Sequence, residues 1–359
     1  MKIAYDYKIF WNQKYGGISR YFTNLFYEFD KQKVNYKVFA PFHKNLYLSK
    51  LKNKVVGTYI KDNIPFTSNL IKFYNENFSI FNTNKWKPDL VHYTYYYNRI
   101  RKQHSSIITV YDLIHEITSK NKNIKPKQKM IDISDHIICI SNNTKNDLLN
   151  FYEVDEKKIS VIYLGGNHLN NLENLPSAKF TNSKPFILYV GSREKYKNFE
   201  FFIKGYSKSK RLSSEVDIVL FGGGKLNKKE KEFINKLDID ENRVIQINGS
   251  DIILKSLYKK AKAFVFPSLY EGFGLPILEA IENNCPIVCS DIPIFREILD
   301  DNAFFFDLKS YESLILSLEK AVFLNDQNKM INGYKLLKNK FTWEECSLNT
   351  LKLYKEIAG

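Results

Sequence analysis

Short β-rich runs alternate with helix-like segments along the whole chain, and this alternation leaves few folds open beyond parallel sheets covered by helices on both faces. Candidate strands fall at 2–5, 36–40, 90–93, 107–111, 136–140 and 161–163, and again at 186–190, 217–221, 243–247, 263–266, 286–290 and 304–306. Two sets of six imply two Rossmann-like domains, and 359 residues exceed what one hydrophobic core usually serves. Residues 165–184, rich in Asn, Ser and Pro, separate the sets without a sustained apolar period, so a linker is placed there. The expected domains are 1–170 and 171–342, followed by an amphipathic segment at 343–357. Domains of this kind bind ligands beyond the carboxyl ends of their strands, so function is sought in those loops.

Composition excludes several classes. With 44% apolar residues the chain can bury large cores. Its start is charged too early for a signal peptide, and no stretch is long and apolar enough for a membrane span, so a soluble, cytoplasmic protein is expected. Cys139, Cys285, Cys289 and Cys346 form no C-x-x-C pair and read as reduced, buried small hydrophobes. The formal charge of +15 is uneven: residues 1–170 hold 26 Lys/Arg against 14 Asp/Glu, leaving 28 against 25 for the rest. A basic half suits nucleic acid, an anionic membrane surface or a polyanionic substrate, or else a solvated lysine-rich surface.

The most informative stretch is Phe266-Pro267-Ser268-Leu269-Tyr270-Glu271-Gly272-Phe273-Gly274-Leu275-Pro276-Ile277-Leu278-Glu279-Ala280, which leaves a strand, passes two glycines and enters a helix. Pro276 suits a helix start, where outward amides of Phe273, Gly274 and Leu275 bind anions and the glycines admit a diphosphate. Glu271 and Glu279 are then able to address two parts of one elongated ligand. The plain alternative is a βα turn with two solvated glutamates. A second strand-to-helix turn, Gly191 to Asn198, supplies Arg193, Lys195 and Lys197, cations suited to a diphosphate leaving group.

The spacing of Glu271 and Glu279 within Glu-Gly-Phe-Gly-Leu-Pro-x-x-Glu-Ala resembles the signature of the retaining glycosyltransferases of family 4. Tyr15-Gly16-Gly17-Ile18-Ser19-Arg20-Tyr21, Thr109-Val110-Tyr111-Asp112, Tyr189 through Asn198, Phe221-Gly222-Gly223-Gly224, Pro267-Ser268 and Phe341-Thr342-Trp343-Glu344 match in the same order. The resemblance implies a GT-B fold, two Rossmann-like domains facing across a cleft, with 343–359 crossing back as a helix onto an acceptor-side first domain. It implies a metal-independent, retaining transferase that needs no cofactor. Glu271, Lys197, Arg193, Asp112 and Tyr111 would serve the reaction. Gly16, Gly17, Gly191, Ser192, Asn198, Gly222, Gly223, Gly272, Phe273, Gly274, Leu275 and Glu279 would hold the nucleotide sugar.

Two departures stand out. The family's usual arginine falls where this chain has Ser192, which leaves the role of Arg193 open between phosphate binding and a basic surface loop. Tyr111 stands where a histidine is common, so imidazole chemistry there is in doubt. Arg20 is either an acceptor contact or a structural helix residue, and His115 either packs or serves the site.

The resemblance is to bacterial surface-polysaccharide enzymes, often mannosyltransferases with a guanosine diphosphate donor. GDP-mannose is therefore the expected donor and a UDP-sugar the next, with a glycan or lipid-diphosphate-linked acceptor. The basic residues Lys120, Lys122, Lys125, Lys127 and Lys129, with Tyr95, Tyr96, Tyr97, Arg99, Arg101 and Lys102, are expected to meet an anionic membrane surface at the inner leaflet. No complete G-x-G-x-x-G supports a nicotinamide enzyme, and no nucleic-acid module is recognisable, so no nucleic-acid partner is expected. A non-catalytic sugar-nucleotide binder remains the other reading. Asp238-Ile239-Asp240, the sole D-x-D, reads as a solvated turn between a helix and a strand rather than a metal site.

Overall fold

The computed structural model describes residues 1–51, 53–61, 68–97, 102–118, 125–172, 184–324 and 327–359. The chain divides into two compact units, Met1–Leu164 with Trp343–Gly359, and Gly165–Thr342.

Unit 1 holds a seven-stranded, wholly parallel sheet built from β1 (Lys2–Asp6), β2 (Asn35–His43), β3 (Val55–Tyr59), β4 (Leu90–Tyr93), β5 (Ser105–Val110), β6 (His136–Cys139) and β7 (Ile159–Val161) in the order β3-β2-β1-β4-β5-β6-β7. Strands β4 and β6 are buried at every position, as strands covered on both faces must be. The helix Gly17–Lys31 covers β1 and β2 with an aromatic layer, in which Phe26 stacks on Tyr36 at 4.9 Å and meets Tyr5 edge-on at 4.7 Å.

The last helix, Trp343–Ala358, belongs to this unit. Tyr354 enters the core beneath β1 and β4, where its hydroxyl meets Tyr5 Oη at 2.8 Å and His92 Nδ1, while His92 Nε2 meets Thr109 Oγ1 at 2.8 Å. Gln32 Nε2 donates to Ser347 Oγ at 2.7 Å. A buried polar chain fully satisfied in this way fixes the helix in register on the sheet.

Unit 2 repeats the plan with β8 (Phe186–Val190), β9 (Asp217–Phe221), β10 (Val244–Ile247), β11 (Ala263–Phe266), β12 (Ile287–Ser290) and β13 (Phe304–Phe306), ordered β10-β9-β8-β11-β12-β13 and again all parallel. All five residues of β8 are buried. The strand order reverses between β1 and β4 in one unit and between β8 and β11 in the other, and at such switch points neighbouring loops part to leave room for a ligand.

Each of the twelve expected strands is present. The sheet of unit 1 has one more, β3, an edge strand whose sequence Val-Val-Gly-Thr-Tyr is half exposed and whose pairing with β2 shifts register between Phe39 and Phe42. The stretch expected to be a linker is in its first part a packed piece of unit 2. Gly166 N donates to Phe341 O at 3.0 Å, and Lys255 Nζ donates to Leu169 O at 3.1 Å. The remainder, 173–183, lies outside the described residues. All four cysteines are free and buried.

Candidate active site

In unit 2 the loops that leave β8 and β11 lie side by side at the switch point, joined by Leu269 N donating to Tyr196 O at 2.7 Å. The first loop is shaped by Gly191 at φ 120° and by Asn198, whose left-handed conformation at φ 55° starts the helix Phe199–Lys208. Tyr189 Oη holds Ser192 O at 2.7 Å. The second loop is anchored by Ser290 Oγ donating to Ser268 O at 2.5 Å and ends at Gly274, left-handed at φ 104°, before the helix Leu275–Glu282 with Pro276 in its first turn.

The two loops meet at one ion pair. Lys197 Nζ lies 2.6 Å from Glu271 Oε1, which also accepts from Ser268 Oγ at 2.7 Å. The ammonium sits 5.1 Å from the ring centres of Tyr196 and of Phe266, partly withdrawn from water. An ammonium held there by a carboxylate and two aromatic faces is preorganised, so it loses little freedom on meeting an anion.

Glu279, one turn into the helix, accepts from His168 Nε2 and from Tyr258 Oη, each at 3.1 Å. Glu271 is 8% exposed and Glu279 4%, so neither is the solvated glutamate of a plain turn. Burying two carboxylates costs free energy, and each is offset by hydrogen-bonding partners. His168 lies in the segment expected to be a linker, and a lone histidine in a polar stretch carries no periodic signal.

Arg193 is engaged inward. Its Nε reaches Glu230 Oε1 at 2.8 Å, and its NH2 donates to the carbonyls of Gly223, Gly224 and Lys225 at 3.2, 3.1 and 3.2 Å. Those carbonyls belong to the turn after β9, where Gly222, Gly223 and Gly224 are all left-handed, at φ 80°, 69° and 76°. The side chain is only 4% exposed, so Arg193 is not the surface-loop arginine of the plainer reading; it clamps the glycine turn, a role the sequence did not suggest. Ser192 places no cation at the family's arginine position.

In unit 1 the ends of β1, β4 and β5 are tied by one polar chain. Asp6 accepts from Thr94 N at 3.1 Å, Thr94 Oγ1 at 2.5 Å and Lys8 N at 2.8 Å, while Tyr111 Oη donates to Thr94 O at 3.1 Å. Burial pushes the Asp6 carboxyl up to about 6 and the Tyr111 phenol well above its ordinary value. Tyr111 is thus a neutral, buried hydrogen-bond donor. The Asp6–Thr94 link went unforeseen, since an acidic residue ending a first strand is its sole sequence trace. Asp112 Oδ1 caps the short helix Ile114–Thr118 by accepting from Ile114 N at 3.2 Å. Gly16 is extended at φ 171°, and Gly17 opens the helix Gly17–Lys31. Arg20 donates to Tyr47 Oη at 2.8 Å and lies over its ring, and His115 is exposed rather than packed.

The basic face expected around 95–129 needs correction. Lys127 is buried, pairs with Glu116 at 2.5 Å and donates to Asp112 O at 2.9 Å. Tyr97 is buried too, and Lys102 is paired with Asp135. A lysine run on a helix has an inner and an outer side, and alternating lysines do not reveal which is which. Arg99, Arg101, Lys120 and Lys122 lie outside the described residues. Asp238 and Asp240 are exposed in a turn. Among the described residues no three His, Cys, Asp or Glu side chains gather as a metal site, and no helix is long and apolar enough to cross a membrane.

Comparison with known proteins agrees with this geometry. The family described as Glycosyltransferase Family 4 matches residues 15–167, and that described as Glycosyl transferases group 1 matches 171–335. The O-antigen chain mannosyltransferase RfbU of Salmonella typhimurium is 33% identical over 202 residues, 55% of this chain and 54% of that one. The O-antigen chain mannosyltransferase B of Escherichia coli is 34% identical over 103 residues, 28% of this chain and 27% of that one. The chain thus spans about half the length, or less, of these relatives. Among solved structures, Anabaena HepE in complex with UDP-glucose superposes with a TM-score of 0.75 at 14% identity over 99% of this chain and 100% of that one. A glycosyltransferase from Rickettsia africae gives 0.72 at 19% identity over 99% and 98%. Two parallel sheets of matching strand order, a Lys197–Glu271 pair at the switch point of the second, and two consecutive family matches lead to one conclusion: the chain belongs to the family 4 glycosyltransferases of GT-B fold.

Proposed function

We propose that the protein transfers mannose from GDP-mannose to a glycan or lipid-diphosphate-linked acceptor of a surface polysaccharide, with retention of configuration and without metal, at the cytoplasmic face of the membrane. The observation that carries the donor side is the Lys197–Glu271 pair, 2.6 Å apart at the switch point of unit 2. In the reaction the bond from the anomeric carbon to the diphosphate breaks, the acceptor oxygen bonds to that carbon, and negative charge grows on the leaving diphosphate. Lys197 answers that growing charge, a contribution larger in the transition state than in the bound donor. Glu271 holds Lys197 in place and takes hydroxyls of the sugar, while Glu279, oriented by His168 and Tyr258, takes those of the ribose. The backbone of Gly272–Leu275 and of Gly191, Gly222 and Gly223 lets the diphosphate approach closely. Tyr111 and Asp112, with Gly16 and Gly17, serve the sugar and acceptor from unit 1.

Mannose is supported by the two mannosyltransferase relatives at 33% and 34% identity. A UDP-sugar donor is the second reading, favoured by an N-acetylgalactosaminyltransferase of Campylobacter jejuni, 27% identical over 56% of this chain and 54% of that one. A thermal-shift series with GDP, UDP and ADP separates them, because a ligand at 100 times its Kd adds about 2.7 kcal/mol to the folded state. GDP is expected to raise the midpoint most. A rise with UDP alone overturns the guanosine reading, and no rise with any nucleotide overturns nucleotide-sugar binding.

A further inference from the structure

The helix Lys125–Ile133 in unit 1 buries Lys127, Met130 and Ile131, which lie three and four apart and so share one face. A lysine therefore holds the first inward position of the stripe, where such a helix ordinarily carries an apolar side chain. The Lys127 side chain is 3% exposed, and that of its partner Glu116 is fully buried. Withdrawing two charges from water is costly, and an apolar pair of similar volume often packs at least as stably. A pair kept at that cost calls for a use beyond packing.

Its place in the fold shows what it holds. Lys127 Nζ pairs with Glu116 Oε1 at 2.5 Å, donates to Asp112 O at 2.9 Å and lies 5.2 Å from the ring centre of Tyr96. Asp112 follows β5, Glu116 sits in the short helix Ile114–Thr118, and Tyr96 follows β4. One buried ammonium thus ties together the segments that leave two neighbouring strands. Glu116 is fixed in turn by Tyr152, the residue that ends the helix Asn142–Phe151, whose hydroxyl donates to the same Oε1 at 2.5 Å. Burial and the neighbouring carboxylate hold the Tyr152 phenol well above its ordinary range, so it stays a donor. Glu116 Oε2 is buried without a hydrogen-bond partner among the described residues, which leaves Lys127 and Tyr152 as the groups that orient this carboxylate.

The Asp112 carboxylate itself is used at one oxygen. Oδ1 accepts from Ile114 N at 3.2 Å, and among the described residues Oδ2 has no hydrogen-bond partner. We propose that Lys127, oriented by Glu116 and Tyr152, is a positioning residue for the transfer reaction: it fixes the turn after β5 so that Asp112 presents Oδ2 to hydroxyls of the sugar and the acceptor. The proposal rests on the role given to Asp112 under the proposed function. Lys127 acts through the backbone carbonyl of Asp112 and touches no substrate. A displacement of about 1 Å in a group that aligns reactants is enough to lower turnover, while a ligand held wholly by unit 2 does not feel it.

Steady-state release of GDP from GDP-mannose, with water as the acceptor, tests it beside direct measurement of GDP binding. Lys127→Met with Glu116→Met replaces the pair by apolar side chains of similar length, so the double variant folds where either single change would strand a buried charge. It lowers kcat by about tenfold or more and leaves the affinity for GDP unchanged. Asp112→Asn added to that double variant brings little further loss, because residues that act through one another are not additive. Tyr152→Phe, which removes one hydroxyl and no charge, lowers kcat in the same sense and again spares GDP binding. Unaltered kcat in either variant, or a loss that multiplies in full with that of Asp112→Asn, overturns the proposal and leaves the pair as packing. Release of neither GDP nor UDP from a nucleotide sugar by the unaltered protein overturns the reading of the function, and this proposal with it.

Discussion

Burial decides the charge of His92 and Asp6, and the two respond to acid in opposite senses. His92 is enclosed between Tyr354 and Thr109, which lowers its pKa to about 3 from an ordinary 6.5. As pH falls below 6.5 the unfolded chain takes up a proton that the folded chain refuses until about 3, so stability present above 6.5 is lost through that window. His43, lowered to about 4, acts in the same direction. Asp6, raised to about 6, is protonated first in the folded chain and returns part of the loss as pH falls from 6 towards 3.8. Each group changes the slope by up to about 1.4 kcal/mol per pH unit. His92→Gln, which keeps hydrogen-bonding groups but cannot titrate, is expected to flatten the acid side of the stability curve. Urea unfolding at pH 7, 5.5 and 4.5 checks it, and an unaltered slope would contradict the burial argument.

At the scale of elements, the turn after β9 shows what a short glycine run is for. A Cβ on Gly223 would lie 2.5 Å from Gly191 O in addition to the left-handed backbone at φ 69°, whereas Gly224, at φ 76°, has nothing within 4 Å. Gly224→Ala therefore costs only the backbone strain, about 1–2 kcal/mol, and Gly223→Ala costs more because the loop after β8 must move. Thermal unfolding of the two variants checks the order, and a Gly224→Ala variant that melts below Gly223→Ala contradicts it. Twelve strands were legible because a strand buried on both faces reads as a continuous apolar run, as Phe-Ile-Leu-Tyr-Val in β8 does. Strand β3 was not, since an exposed edge strand with a glycine at its centre lacks that run. In the site, Lys197, Glu271 and Glu279 were legible from motif spacing. The clamp by Arg193, the approach of His168 to Glu279 and the burial of Lys127 are set by contacts between segments 15 to 111 residues apart. Local pattern holds no record of such contacts.

Over the whole molecule, two units share one strand order, and at the switch point of unit 2 the loops after β8 and β11 bring Lys197 against Glu271. The claim at the centre is that Lys197, held by Glu271, carries the leaving-group charge in place of a metal. Release of GDP from GDP-mannose, followed with an excess of chelator in the unaltered protein and in Lys197→Ala, tests it most directly. The account predicts release in chelator, a turnover lowered by about 100-fold or more in the variant, and GDP binding weakened far less than turnover. Release that requires a divalent ion, or a variant that turns over as the unaltered protein does, would contradict it.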